Sequence, residues 1–338
     1  TILQTRIQAF MAASDAHPDK QVPIPLKYYG ADTTGRWSGW GYNPQNLPRV
    51  NPYSPKPSDA LRKSLVAPAG HKVVVADLSG IELRVNHFLW KVPASMELYQ
   101  ADPEKADLYK DFASKLYDVP IDQVTKVQRQ VGKVAHLGLG FGAGHVTFQK
   151  VAKLMGGVDI TEQESREIVE TWRGSYSEIV RGWKTCHACL PTIMRGVTGA
   201  SVDPWGMVTP VPEGLKTPKG LIRYPDLRTE RNEDDNRMEF IYGNGRNKAR
   251  IYAGKIDENI VQHLARCVIA DNALTVQQVT GLNPALMVHD ELVYVVPDED
   301  AQSVLDTVQN VMRTPPKWWP ELVTWSEGDI ADTYGDAK

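Results

Sequence analysis

The sequence is poor in cysteine, and the few cysteines present do not form a recognisable site. Only three occur among 338 residues, which excludes a disulfide framework. Cys186 and Cys189 are spaced as C-x-x-C, but a tetrahedral zinc site needs four ligands and no second pair accompanies them. We therefore interpret these two cysteines as surface or half-buried thiols on a helix.

Long apolar runs and a targeting segment are also absent. No window approaches the ~18 consecutive apolar residues of a membrane span. The start, Thr1-Ile2-Leu3, has neither an initiating methionine nor the apolar core of a signal peptide. We expect a cytoplasmic protein with no membrane partner, which was processed or cut from a longer chain.

Positive charge is scarce, because 38 Lys and Arg residues face 41 Asp and Glu residues, for a formal net charge of −3. Nonspecific affinity for nucleic acid comes from cations that neutralise phosphates. An evenly basic surface is therefore excluded. If the chain binds nucleic acid, its charges must be segregated, or part of the binding surface must lie outside this chain.

The remaining composition is that of an ordinary globular protein. Hydrophobic residues make up 42% of the chain and charged residues 23%, which allows a sizeable core. The length predicts about two domains, which can be interleaved. The sequence contains no internal repeat and no low-complexity tract.

Local patterns predict a loop-rich start followed by a helical middle. Residues 22–68 are rich in proline, glycine and asparagine, which favours loops and turns. The β-branched run at Val73–Ala76 predicts a buried strand. Helical periodicity dominates residues 95–176, where Thr161 and Glu164 predict a capping box at the start of one helix.

The second half of the sequence predicts a long amphipathic helix at Lys255–Gln278. Its apolar face repeats every four residues, and its polar face carries Glu258, Gln262 and Arg266. The other predicted elements are a helix at Ile2–Ala13, a strand at Leu221–Tyr224, a solvated charged loop at Arg231–Arg237, a hairpin of Leu286–Val288 with Leu292–Val296, and a helix at Ala301–Arg313.

Two aspartates far apart in the chain, Asp77 and Asp290, each end a β-branched run. If the two strands pair in one sheet, the carboxylates lie side by side, where cations would offset their repulsion. Oxygen ligands without a cysteine cluster favour Mg²⁺ or Mn²⁺ over zinc. Two such ions about 3.5–4 Å apart can activate a hydroxyl group and stabilise a leaving pyrophosphate. For either residue alone, the alternative is an aspartate that caps a strand or turn.

A second candidate site is a cationic helix face. Arg129, Lys133 and Leu137 are spaced by four residues and so share one face. A guanidinium can bind a triphosphate through two hydrogen bonds, and an ammonium adds a point charge, although two solvated basic residues are the alternative. Each glycine costs about 1 kcal/mol in a helix interior, so several glycines in one helix need an explanation. They are tolerated where the backbone must approach a base pair, or where the helix must move to close over a substrate. These glycines are at positions 132, 138, 140 and 142.

Three segments in combination resemble a known family. They are Asp77-Leu78-Ser79-Gly80-Ile81-Glu82-Leu83-Arg84, Arg129-x-x-x-Lys133-x-x-x-Leu137-Gly138-x-x-Phe141-Gly142 and Val288-His289-Asp290-Glu291. In this order the chain closely resembles the family A DNA polymerases, the group of bacterial DNA polymerase I and many phage polymerases. Residues 255–262 are similar to phage-type members, and a phage-encoded copy would act in the host cytoplasm.

The resemblance implies an α+β fold of the right-hand polymerase kind, with an antiparallel-sheet palm and mainly helical fingers inserted into it. The palm would comprise residues 27–95 and 241–338, and the fingers residues 96–240. Residues 1–26 would be a remnant of the thumb or connector. The thumb and exonuclease domain would be largely absent. We therefore expect an upstream segment or a separate subunit as a partner, and weak primer–template binding by this chain alone.

The resemblance also assigns metal chemistry to particular residues. Asp77 and Asp290 correspond to the two metal-binding aspartates of the family, and the backbone carbonyl of Leu78 is expected to help them. The implied cofactor is a pair of Mg²⁺ ions, with Mn²⁺ as a substitute. Glu291 corresponds to an outer carboxylate of the family that supports the metal site. We therefore predict that Glu291 is one of the catalytic residues.

The nucleotide-binding residues implied are Arg129, Lys133 (which is also catalytic), Leu137, Phe141, Glu82 and Tyr109. Glu82 matches the steric gate that excludes a 2′-hydroxyl, although a surface salt pair with Arg84 is an alternative. Leu137 stands where an aromatic residue is common. Phe141 stands where tyrosine is usual and cannot brace Glu82, so looser rejection of ribonucleotides is expected. Tyr109 replaces a histidine and can donate one hydrogen bond without charge.

The DNA-binding residues implied are Arg36, Gln45, Asn46, Gln262 and His289. Arg36 lies in a Thr-Gly-Arg segment of the family pattern, and with Gln262 it is the expected reader of the minor groove at the primer terminus. His289 is expected against the primer end. The alternatives are a solvated polar face for Gln262 and a turn-stabilising side chain for His289.

The predicted function is template-directed DNA synthesis in DNA replication. The enzyme would add dNTPs to a primer 3′-hydroxyl by a two-metal mechanism, with release of pyrophosphate. One alternative is a related single-subunit RNA polymerase, which Glu82 and the Thr34-Gly35-Arg36 segment argue against. The other is a non-catalytic DNA-binding subunit with the polymerase fold. The presence of Asp77, Asp290, Arg129 and Lys133 argues against it.

Overall fold

The computed structural model describes residues 2–17, 19, 21–48, 60–233 and 236–337. These residues combine helices with antiparallel strands, which confirms the predicted α+β class. The helices are α1 (Ile2–Asp15), α2 (Ala60–Lys63), α3 (Ile81–Leu89), α4 (Pro93–Ala101), α5 (Leu108–Tyr117), α6 (Lys126–Leu139), α7 (His145–Gly156), α8 (Glu162–Ser175), α9 (Ser177–Met194), α10 (Ala253–Thr280) and α11 (Ala301–Arg313). The strands are β1 (Leu26–Lys27), β2 (Ser38–Gly39), β3 (His71–Leu78), β4 (Thr209–Val211), β5 (Gly214–Thr217), β6 (Gly220–Arg223), β7 (Arg228–Arg231), β8 (Met238–Tyr242), β9 (Ala249–Ile251), β10 (Leu286–Val288), β11 (Glu291–Pro297) and β12 (Ser326–Ala331).

The chain divides into two compact units. The first unit comprises Thr1–Ile81 and Ala265–Lys338, and the second comprises Glu82–Leu264. The first unit is therefore assembled from both ends of the sequence, and α10 contributes residues to each unit. This division does not test the predicted limits of palm, fingers and thumb remnant, which stay predictions.

The first unit is built on a four-stranded antiparallel sheet in the order β10-β11-β3-β12. The Val73–Ala76 run of β3 is buried, as expected for β-branched residues in a central strand. Helix α11 packs against β3 and β12. The buried side chains of α11 include Val304, Leu305, Val308 and Met312. The predicted strand at Val73–Ala76, hairpin, first helix and last helix are all confirmed.

The loop-rich prediction for residues 22–68 is confirmed where the structure describes it. Residues 21–48 contain β1, β2 and one turn of 3₁₀ helix, and residues 60–68 contain only the four-residue α2. Residues 49–59 of this prediction lie outside the described residues.

The second unit is helical up to Met194, which confirms the helical prediction for residues 95–176. The predicted capping box of Thr161 and Glu164 opens α8. After α9 come two three-stranded antiparallel sheets, β4-β5-β6 and β7-β8-β9. The predicted strand near residue 221 is β6. The charged stretch predicted as a loop is partly strand, since β7 ends at Arg231, and residues 234 and 235 lie outside the described part.

Helix α10 confirms the predicted long helix, and its four-residue apolar repeat is fully buried. Arg266 is a correction, because it was predicted on the polar face and is only 8% exposed. Its neighbours on that face, Glu258 and Gln262, are half-buried. No helix formed by the described residues is both long and apolar enough to cross a membrane.

The two cysteines of the C-x-x-C motif are another correction. Cys186 and Cys189 are buried in α9, whereas we predicted surface or half-buried thiols. The Cys189 thiol donates a hydrogen bond to the carbonyl oxygen of Cys186 at 3.0 Å. Burial raises the pKa of the Cys189 thiol to about 12, so it stays protonated and unreactive at neutral pH.

A buried carboxyl group anchors the start of α10 in the second unit. Asp257 is fully buried and accepts hydrogen bonds from the indole N–H groups of Trp90 at 2.8 Å and Trp183 at 3.1 Å. Burial raises the pKa of Asp257 to about 7, although the two indole donors act in the opposite direction. The folded chain therefore binds this proton more tightly than the unfolded chain does.

We predict that Asp257→Asn removes a pH-dependent loss of stability. The stabilising contribution of the protonated Asp257 is complete below its ordinary pKa of 3.8 and is lost as the pH rises through about 7. The free energy of unfolding of the wild type, relative to Asp257→Asn, should thus fall by up to ~4 kcal/mol between pH 4 and 8. Urea denaturation of both proteins across this range tests it. Parallel pH profiles would contradict the assignment.

Candidate active site

The β10–β11 hairpin displays two of the predicted site residues at its turn. Val288 pairs with Glu291, so His289 and Asp290 form a two-residue connection. His289 has a positive φ of 55°, which such tight hairpin turns require at their first position. His289 is exposed and Asp290 is half-buried.

The second predicted aspartate lies on the neighbouring strand. In the antiparallel pair of β11 with β3, Glu291 is the direct partner of Asp77. The backbone N–H of Leu78 donates to the carbonyl oxygen of Asp290 at 3.0 Å. The predicted pairing of the two strands is therefore confirmed, and it brings Asp77 and Asp290 to the same end of the sheet.

The donor atoms at this end of the sheet fit a hard divalent cation. Asp77 and Asp290 are both half-buried, so both residues are still accessible to a cation. Among the described residues, no group of three or more His, Cys, Asp and Glu side chains is placed to hold a metal ion. Mg²⁺ commonly uses only one or two carboxylates and completes its shell with water and phosphate oxygens. The metal roles of Asp77, Asp290 and the Leu78 carbonyl stay predictions.

Glu291 is in a different environment from its neighbour Asp290. It is fully buried and accepts a hydrogen bond from the Tyr334 hydroxyl at 2.5 Å. Arg62 lies 3.7 Å from the same carboxylate oxygen. Sequence reasoning missed both partners, because neither lies near Glu291 in the chain.

Arg36 is linked directly to the hairpin turn. Its Nη2 donates to Nδ1 of His289 at 2.8 Å, so the structure brings together two of the predicted DNA-binding residues. The preceding residue, Gly35, has a φ of +73°, and a side chain there would come within 2.4 Å of the Tyr29 ring. Glycine is therefore required at this position of the Thr34-Gly35-Arg36 loop.

Gln45 and Asn46 lie in the 3₁₀ turn at Pro44–Asn46. Gln45 is buried, and its Nε2 donates to the carbonyl oxygen of Met287 in β10 at 3.3 Å. Asn46 is exposed, and its carbonyl oxygen accepts a hydrogen bond from Arg6 at 2.7 Å. Gln45 thus supports the hairpin in this structure, and the predicted DNA contacts of both residues stay predictions.

The buried Arg266 supports the same region, and the sequence did not reveal it. Its guanidinium carbon lies 4.8 Å from the ring centroid of Trp37, 5.1 Å from that of Tyr28 and 5.6 Å from that of Tyr29. A desolvated guanidinium against aromatic rings contributes roughly 2 kcal/mol. Arg266 therefore packs against the segments that flank Arg36. The aromatic residues at positions 28, 29 and 37 were the only signal in the sequence for a cation packed against this segment.

In the second unit, α6 carries the cationic face. Arg129 is half-exposed, and Lys133 and Leu137 are exposed on the same side of the helix. Thr125 caps the helix and forms a capping box with Gln128. The opposite, buried side consists of Val131, Val134, Ala135, His136 and Leu139. The spacing argument for one shared face is thus confirmed.

Asp107 organises the groups around this face. Its Oδ1 caps α5 by accepting from the backbone N–H groups of Tyr109 and Lys110, each at 3.0 Å. Its Oδ2 accepts from Nε of Arg129 at 2.6 Å, and the Arg129 guanidinium lies 5.3 Å from the Tyr109 ring centroid. The structure therefore brings Arg129 and Tyr109 together. An aspartate two residues before Tyr109, at a helix start, was the overlooked signal.

The remaining predicted residues of the second unit occupy separate elements. Glu82 is in the first turn of α3, and Phe141 follows α6; both are half-buried. Gln262 of α10 is half-buried and donates to Glu258 at 3.2 Å. Arg84 is 3% exposed and donates to the Pro103 carbonyl at 2.7 Å, so it is not a surface residue as the salt-pair alternative assumed. The roles of Glu82, as steric gate or as partner of Arg84, stay predictions.

One glycine of the cationic helix has a packing explanation. A Cβ atom on Gly132 would lie 2.1 Å from the carbonyl oxygen of Tyr109. α5 and α6 therefore approach so closely at this point that only glycine fits. From the sequence, we expected the glycines of this helix to let the backbone approach a base pair or to let the helix move. At Gly132 the close approach is to Tyr109, within the protein.

Comparison with known proteins identifies the family. The model of the family described as DNA polymerase family A matches residues 4–188, which is more than half of the chain. The chain belongs to DNA polymerase family A. The predicted resemblance is therefore confirmed.

Individual relatives agree with this membership in family A. The DNA polymerase of Bacillus phage SP02 is 27% identical over 98% of this chain and 55% of its own length. The thermostable DNA polymerase I of Thermus aquaticus is 26% identical over 84% of this chain and 29% of its own length. This family A chain thus spans about half the length of the phage relative, and less of the bacterial one.

A solved structure shows the same fold. The POL domain of Pol1 from M. smegmatis, in complex with DNA primer–template and dNTP, aligns with 99% of this chain and 51% of its own. The TM-score is 0.67 at 19% sequence identity. The fold of this family A chain is therefore that of a polymerase domain.

We predict that Gly132→Ala destabilises the chain, although alanine is the better helix former. The added methyl group would force α5 and α6 apart, and overpacking of this kind costs about 1–3 kcal/mol. Gly174→Ala in α8 is the matched control, because its Cβ would meet no atom within 4 Å and the change should stabilise by up to about 1 kcal/mol. Chemical denaturation of the three proteins tests the pair. Equal stabilities of the two variants would contradict the packing explanation.

Proposed function

We propose that this chain is a DNA-directed DNA polymerase that adds dNTPs to a primer 3′-hydroxyl with release of pyrophosphate, in DNA replication. The observation that carries the proposal is the pairing of β3 with β11, which brings Asp77 and Asp290 to one end of a sheet in a member of DNA polymerase family A. The solved relative bound to primer–template and dNTP supports these as the substrates.

The carboxylates of Asp77 and Asp290, with the carbonyl of Leu78, would hold two Mg²⁺ ions or Mn²⁺ in their place. When bound, such ions supply activation of the attacking hydroxyl and charge neutralisation at the leaving pyrophosphate. The protein would contribute the placement of the two carboxylates, since Asp77 lies in β3 and Asp290 lies in the turn before β11, and backbone hydrogen bonds join these two segments.

The cationic face of α6 would bind the triphosphate. Arg129 offers a planar guanidinium, and Lys133 offers an exposed ammonium one helical turn away. Asp107 holds the Nε edge of Arg129, which leaves the terminal nitrogens of that guanidinium to bind phosphate oxygens. Tyr109, beside Arg129, would add a neutral hydrogen bond. Lys133 would also act in catalysis as a strongly hydrated cation.

Selection of the nucleotide would rest on side chains near its sugar and base. Glu82 would exclude a 2′-hydroxyl by its bulk, as the steric gate of the family does. Phe141 would stack near the templating base, and Leu137 would supply an apolar contact without stacking. Because Phe141 has no hydroxyl group to brace Glu82, rejection of ribonucleotides would be weaker than with tyrosine there.

The primer terminus would be held by Arg36 and His289. Their mutual hydrogen bond supports the proposal, since it fixes an arginine beside the turn that carries Asp290. Gln262 would read the minor groove together with Arg36, because donors there meet acceptors common to all correct base pairs. Gln45 and Asn46 would contact the same strand from the 3₁₀ turn.

We predict that the chain extends a labelled primer on a DNA template with Mg²⁺ and dNTPs, and that Asp290→Ala abolishes extension because a metal ligand is lost. Asp306→Ala is the matched control, since Asp306 is an exposed aspartate on α11 of the same unit and should leave extension intact. Both variants should retain wild-type melting temperatures.

Parallel reactions with the four NTPs complete the experiment. Extension with NTPs in preference to dNTPs would replace the proposal with an RNA polymerase. No extension by the wild type at high protein and DNA concentrations would contradict autonomous polymerase activity. Full activity of Asp290→Ala would contradict the assigned metal site.

A further inference from the structure

Three polar residues from distant parts of the first unit meet in its interior. Glu291 of β11 is fully buried, and Arg62 of α2 and Tyr334 after β12 are 5% and 2% exposed. The Tyr334 hydroxyl donates to Oε1 of Glu291 at 2.5 Å, and Arg62 Nη2 lies 3.7 Å from the same oxygen. The Arg62 guanidinium also lies 4.1 Å from the centroid of the Tyr334 ring. We call these three residues the buried triad.

The buried triad is a costly way to stabilise a core. Removing two opposite charges from water costs several kcal/mol, and their mutual attraction often fails to exceed that cost. In addition, Nε of Arg62 is buried without a hydrogen-bond partner in the described part of the chain. An unsatisfied buried donor costs about 1–3 kcal/mol. Apolar side chains of similar volume would serve stability as well, so the triad is better explained by a role beyond stability.

The position of Glu291 indicates that role. It follows Asp290 directly in the chain, and it is the cross-strand partner of Asp77. Directly opposed residues in antiparallel strands have Cβ atoms only about 4.5–5.5 Å apart. A shift of Glu291 would therefore reach Asp290 through one peptide unit and Asp77 through the strand pair.

The segment that carries Tyr334 has a fixed path. The backbone N–H of Tyr334 donates to the carbonyl of Leu65 at 2.9 Å, and Thr333 forms a β-bridge with Val66. A side chain on Gly335 would come within 2.5 Å of Lys63. These contacts fix the position of Tyr334 independently of its hydrogen bond to Glu291. A precisely arranged site needs supporting residues that are themselves held in this way.

The geometry points to Tyr334 and Arg62 as positioning residues, which hold Glu291 and through it the spacing of the Asp77 and Asp290 carboxylates. This inference rests on the proposed function of that site. Burial and the neighbouring Glu291 carboxylate raise the pKa of the Tyr334 hydroxyl, so it remains a hydrogen-bond donor at neutral pH. Glu291 thereby acts on the metal site from the interior of the unit.

The test uses Tyr334→Phe, which removes the hydroxyl and keeps the ring beneath Arg62. Mn²⁺ affinity, measured by electron paramagnetic resonance without nucleotide turnover, should fall by about 10-fold, as for other groups that support metal ligands. The Mg²⁺ concentration for half-maximal incorporation should rise by a similar factor of about 10, while the KM for dNTP stays unchanged.

Tyr294→Phe is the matched control, because Tyr294 lies on β11, the strand that carries Glu291. Tyr294 is 1% exposed, and its hydroxyl has no hydrogen-bond partner among the residues that the structure describes. Its removal should leave both metal measurements unchanged. Equal Mn²⁺ affinity of Tyr334→Phe and wild type would overturn the inference, as would an equal shift in Tyr294→Phe.

A second variant, Arg62→Lys, covers the case in which Tyr334→Phe does not fold. If Tyr334→Phe does not unfold cooperatively, Arg62→Lys becomes the deciding variant. It keeps the charge but loses the planar contact with Tyr334, and it should show the same loss of Mn²⁺ affinity. If the wild type fails to extend primers, the proposed function fails, while the Mn²⁺ comparison still decides the role of the triad.

Discussion

The first unit depends on the register of β11 against β3. That register sets Glu291 opposite Asp77, and it thereby joins a strand from the first quarter of the sequence to a hairpin near its end. A slip of one residue would turn every side chain of the strand to the other face of the sheet. The valines of β3 are buried on both faces of the sheet, and α11 packs on the same strand, so such a slip would disrupt the packing of apolar side chains. Core packing thus fixes the backbone positions that carry the candidate metal ligands.

Functional groups in each unit are held by buried or capping partners. In the first unit, Arg266 packs against the aromatic residues that flank Arg36, and Arg36 in turn bonds to His289. In the second unit, Asp107 caps α5 and fixes the Nε edge of Arg129 with the same carboxylate. Such partners reduce the conformational entropy lost when a substrate binds, which is the physical basis of preorganisation.

Much of this arrangement could be predicted from the sequence, because strong local patterns specify it. The valine run of β3, the hairpin of β10 and β11, and the capping box at Thr161 all formed where their patterns predicted. Asp77 and Asp290 could be paired because both end apolar strands. Family membership adds the roles of the individual side chains, which remain proposals.

The parts that could not be predicted depend on contacts between distant segments. Arg266 occupies a position of α10 that a helical wheel assigns to solvent, and only tertiary packing brings the aromatic rings onto it. Glu291 could not be matched with Tyr334 by spacing. Gly132 illustrates a different failure, because its cost in a helix was recognised while the cause, the close approach of Tyr109, required the packed structure.

A double-mutant cycle would show whether Asp77 and Asp290 form one metal site. Single-nucleotide incorporation under single-turnover conditions would be measured for Asp77→Asn, Asp290→Asn and the double variant. If the two carboxylates act as a unit, each single substitution lowers the rate about as far as both together, because either one dismantles the site. Losses that multiply in the double variant would show two independent contributions and contradict a single shared metal site.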